Sequence, residues 1–89
     1  MLLGVFCVFD SKAVSYGMPF FTQNRGSAMR GIKAQIKQDT QSMLSQYPED
    51  FSLHDMGTYD DETGQFHTTP PVFVIDVKDL LGDRNEQQP

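Results

Sequence analysis

Tryptophan is absent from this chain, and its 89 residues include one cysteine and two histidines; each scarcity removes a class of function. Cys7 has no partner for an internal disulfide, and with no CxxC pair and only His54 and His67 there is no zinc ligand set. The usual staples of very small folds are therefore missing, and a reducing, intracellular setting fits. No apolar run approaches the roughly 20 residues that cross a bilayer, so no membrane association is expected. The opening LLGVFCVF lacks a signal peptide's basic start and small-residue cleavage site, and reads as a strand. Gly26 and Gly31 flank a helix start without the GK[ST] sequence of a phosphate loop. Neither histidine lies in a nucleophile motif. The acidic run Asp60, Asp61, Glu62 lacks the spacing and closing glutamate of a calcium loop. No catalytic residue, metal site or cofactor is expected, and the chain reads as non-enzymatic.

What is present is apolar and unevenly charged. Hydrophobic residues make up 38% of the chain, including seven phenylalanines and three tyrosines, enough for one small core and too little for two domains. The net charge of -5 hides a division between the halves. Residues 1–37 hold Lys12, Arg25, Arg30, Lys33 and Lys37 against Asp10 alone, whereas residues 38–89 hold eleven acids against Lys78 and Arg84. A positive and a negative face are expected, the positive one suited to phosphate.

Residues 2–9 form a nearly unbroken apolar run, as in a strand covered on both faces. A loop follows, and Pro19 leads Phe20, Phe21 and Thr22 into a short edge strand. With Ser27 as N-cap, Met29, Ile32, Ile36, Met43, Leu44 and Tyr47 recur at helical spacing, which predicts one amphipathic helix of about five turns ended by Pro48. Phe51 to Tyr59 and Gln65 to His67 read as a hairpin around DDETG, with Gly64 in the left-handed region, followed by a strand at 72–77. Pro70 and Pro71 are expected to interrupt the returning strand, at an edge or bulge. The expectation is an α+β fold: a small antiparallel sheet with one long amphipathic helix packed on one face. It forms a single domain over residues 1–81, with a flexible tail at 82–89. One helix covers one face, so the other calls for a homodimer, with Val5, Phe6, Val8, Phe73 or Ile75 at the contact.

The remaining chemistry is a basic helix beside aromatics. Arg30, Lys33 and Lys37 follow one another at helical spacing, with Arg25 just before them, while Tyr16, Phe20 and Phe21 precede the helix. Aromatics beside a cationic track stack unpaired bases. Adjacent strand residues face opposite sides, so one of Phe20 and Phe21 belongs to the core and the other to the surface.

Three blocks, VFDSKAVSYGMPFF, GSAMR and PEDFSLHDMGTYDDETGQF, together resemble the small non-structural protein of gokushovirus-type microviruses, which are single-stranded DNA phages. The resemblance runs from about Val5 to Val77. It implies a DNA-binding factor, for single-stranded DNA by the aromatic argument, that assists the switch from duplex replication to single-strand synthesis and packaging in the host bacterial cytoplasm. Lys12, Phe20, Phe21 and Arg30 are the matching positions suited to touch DNA; Tyr16, Arg25, Lys33 and Lys37 rest on charge and stacking alone. The alternative is an interaction or assembly factor that holds a phage replication or capsid protein through its acidic half.

Overall fold

In a computed structural model of the chain, the backbone is described for residues 1–86 and side chains for residues 1–81. Strand β1 (Leu2–Asp10) is followed by β2 (Ser15–Tyr16) and β3 (Phe20–Thr22), then α1 (Arg25–Gln38), α2 (Met43–Gln46) and a 3-10 turn at Pro48–Asp50. The second half is β4 (Phe51–Asp60), β5 (Gln65–Asp76) and α3 (Val77–Glu86). This is the expected α+β fold, built on one antiparallel sheet. β1 and β4 lie side by side in its centre, β5 forms one edge, and β2 and β3 share the other edge along β1.

Alternation along β1 divides the sheet into two faces. Phe6 and Val8 point to the helices, together with Leu53 and Phe51 of β4. Ala28, Ile32 and Ile36 of α1 close over them, and Val77 and Leu80 at the start of α3 complete the core. Val5, Cys7 and Phe9 point the other way.

The helix differs from expectation at both ends. Its N-cap is Asn24, whose side chain accepts from the Ser27 amide at 2.9 Å, so Ser27 lies in the first turn. The five-turn stripe is broken after Gln38. Asp39 leaves helical geometry, its side chain accepts from Gln41 N, and Ser42 caps a separate short helix through the Ser45 amide. Aspartate and serine offer the backbone these local partners in place of the helical ladder, which outweighs the periodicity of Met43 and Leu44. Strand β5 runs through Pro70 and Pro71 without interruption, because it is an edge strand and bulges there: Asp55 pairs with Val72 and Gly57 with Thr68, leaving residues 69–71 opposite Met56 alone. α3 begins where the strand at 72–77 was expected to end. The last three residues of the expected tail lie outside the described residues.

Candidate functional site

The face of the sheet turned away from the helices is curved and aromatic. Curvature comes from bulges. The β1–β4 register slips between Val5 and Phe6, where Met56 is the extra residue, and the β4–β5 register slips at Leu53/His54 and again at Asp55/Gly57. Gly57 makes the second slip possible with φ +117, and a Cβ there would lie 2.2 Å from the His67 carbonyl oxygen. Two intervening strands would hold edge residues of β3 and β5 about 14 Å apart in a flat sheet. Phe21 and Phe66 nevertheless bring their ring centroids to 6.2 Å, so the sheet is a half-barrel.

Two ring clusters stand on this face. At one end Tyr59 lies 4.7 Å from Phe66 and 5.5 Å from Phe21, between centroids. At the other, His54 sits among Phe9, Tyr16 and Phe73 at 5.9, 5.5 and 5.8 Å, with interplanar angles of 74°, 80° and 79°. Between them is a trough of about 410 Å³ floored by Val5, Cys7 and Met56 and walled by Phe21, Phe66 and Thr68. Tyr16 and Phe21 are each 45% exposed, and Phe66 and Phe73 each 55%. Burial raises the Cys7 thiol above its ordinary pKa, which keeps it protonated and unreactive.

The expected site residues do not form one surface. Tyr16 and Phe21 are on the open face, whereas Phe20 packs against Phe6 at 6.1 Å on the helix side; Phe21 is thus the exposed member of the pair. Arg30, Lys33 and Lys37 are on α1, whose apolar side covers the opposite face of the sheet, so the basic track and the stacking rings are separated by the core. Arg25 is engaged by Asp55, with Nε to Oδ2 at 3.1 Å. Lys12 is exposed in the turn after β1, whose amides at Lys12 and Ala13 are held by the Asp10 carboxylate. Of the expected dimer contacts, Phe6 is buried and Val8 and Ile75 pack against the core; Val5 and Phe73 remain on the open face.

Sequence reasoning missed Phe9, His54, Tyr59, Phe66 and Phe73. The signal for one pair was present: a four-residue turn at 61–64 fixes Asp60 opposite Gln65 and therefore Tyr59 opposite Phe66.

A family model described as Phage ORF5 protein matches residues 3–80. The chain belongs to that family. Protein ORF5 of Chlamydia phage 1 is 31% identical over 88 residues, covering 93% of this chain and 92% of that protein. No solved structure matches. The resemblance to small gokushovirus-type microvirus proteins is borne out at the level of the family. Among the described residues, no helix is long and apolar enough to cross a membrane.

Proposed function

We propose that this phage protein binds unpaired DNA on the open aromatic face, without chemistry of its own, and assists the switch to single-strand synthesis and packaging in the host bacterial cytoplasm. The supporting observation is the pair of ring clusters on one concave sheet face, with Tyr16, Phe21, Phe66 and Phe73 about half exposed although the helix-side core is complete without them. Flat rings at this exposure suit bases that are not already stacked in a duplex, each stack being worth roughly 1 to 3 kcal/mol. Affinity then rests on stacking more than on phosphate neutralisation, in keeping with the net charge of -5.

The test is competition of labelled single strand with unlabelled single strand or duplex at fixed salt. Single strands should compete better, and Phe21→Ala and Phe66→Ala should each weaken binding by about 1 to 3 kcal/mol without unfolding the chain. Equal competition per phosphate, or full binding by the double variant, overturns the reading. A second reading is favoured by the lack of lysine or arginine among the trough's lining residues: the face packs on a second copy of the chain. Light scattering giving a dimer that the same two substitutions dissociate would establish it.

A further inference from the structure

The outer side of α1 carries positive charge and no apolar surface of any size. At about 100° per residue, Arg30, Ala34 and Lys37 stand opposite the buried Ala28, Ile32 and Ile36, with Lys33 on the flank. All three outward residues are exposed, and Lys33 is half-buried. The helix contains no aspartate or glutamate, although the chain has twelve. Among the described residues, Arg25 is the one cation of α1 held in an ion pair, with Asp55, whereas Arg30, Lys33 and Lys37 have no acidic partner.

These features select the kind of partner. None of the exposed large apolar side chains belongs to α1, so the face lacks the apolar centre that a contact with another protein is built on. A phosphate backbone needs cations and room to approach them. Ala34 stands between Arg30 and Lys37, and at Gly31 beside them a Cβ would meet only open space. From Arg30 to Lys37 the helix rises about 10 Å. The same length of duplex axis carries about six phosphates, a charge density that a lone strand does not reach. Charge complementarity thus favours a duplex.

We propose that the outer face of α1 is a second, sequence-independent site, for the phosphates of duplex DNA, across the core from the stacking rings. With an unpaired strand on the open face, one molecule then holds single strand and duplex at once. That double grip rests on the stacking reading above; the duplex site does not.

The probe is a labelled blunt duplex of about 20 base pairs, titrated with and without saturating unlabelled deoxythymidine octamer. Each cation–phosphate contact contributes about 0.9 to the slope of log K against log[salt], so three should give a slope near -2.7, an affinity loss of about fortyfold between about 50 and 200 mM salt. Replacing Arg30, Lys33 and Lys37 together by glutamine keeps helix propensity. The variant should lose most of that slope and at least about tenfold in duplex affinity at the lower salt, while its octamer affinity stays within about twofold. Phe21→Ala should do the reverse. If the glutamine variant fails to fold, the parent decides, because the octamer should leave the duplex bound with its slope unchanged. Displacement of the duplex by octamer, a slope retained by the glutamine variant, or no duplex binding at the lower salt overturns the proposal. Polyglutamate bound where duplex is not overturns it too, and assigns α1 to an acidic protein. Failure of the octamer alone to bind overturns the stacking reading and the double grip, and the duplex site stands or falls on its own slope.

Discussion

Gly57 shows how one residue shapes the site. With φ at +117 and the His67 carbonyl oxygen 2.2 Å from where a Cβ would stand, Gly57 has no room for a side chain, and the bulge it permits turns Met56 into the trough. Gly57→Ala should cost about 1 to 3 kcal/mol, read as a lower urea midpoint with unchanged slope, and should weaken oligonucleotide binding as the sheet flattens. Phe20 and Phe21 make the complementary point. Neighbours in one three-residue strand, they serve the core and the open face respectively because strand side chains alternate.

At the scale of elements, α1 is set by its first turn and its break. Asn24 Oδ1 holds the Ser27 amide, and Asn24→Ala should lower stability by about 1 kcal/mol in chemical unfolding, whereas Ser27→Ala should cost much less. The β4–β5 hairpin is held at its tip by the chain's amino terminus, whose ammonium lies 2.9 Å from Asp61 Oδ1 and 3.0 Å from Glu62 Oε1. Hydrogen bonding to Asp61 and then Glu62 raises the amine above its ordinary 8.0, while the Glu62 backbone N–H lowers the Asp60 carboxyl. A raised amine stabilises the fold below about pH 8 and loses that contribution as pH climbs through its folded value. A lowered carboxyl contributes above its ordinary range and loses this as pH falls through its folded value. Amide resonances of Asp61 and Glu62 should therefore shift as the amine titrates above pH 8, and acetylation of the amine should remove that transition.

For the whole molecule, the decisive feature is that one sheet separates two surfaces. α1 carries Arg30, Lys33 and Lys37 on the far side of the core from Tyr16, Phe21, Phe66 and Phe73. Reversing all three cations to glutamate should leave oligonucleotide affinity within about twofold at moderate salt, since screening over about 10 Å removes most of their reach. A loss of tenfold or more, measured by fluorescence anisotropy, would return the site to the helix.

Local chemistry determined a good deal by itself. The apolar run at 2–9, the turn residues from Asp61 to Gly64 and the proline at 48 commit their segments through periodicity and fixed backbone preferences, so β1, β3, the β4–β5 hairpin and an antiparallel sheet were legible, whereas β2, the break after Gln38 and α3 were not. Alternation also required Phe20 and Phe21 to part company. The side of the sheet on which each ring stands, however, depends on bulges at Met56 and Val74, and each extra residue reverses the alternation beyond it. That is why Phe73, close to Ile75 in sequence, faces His54 while Ile75 joins the core. The cluster around His54 gathers Phe9, Tyr16 and Phe73 from three strands spread over 65 residues. No spacing rule in one dimension joins them; only the pairing of β2 with β1, β1 with β4 and β4 with β5 does.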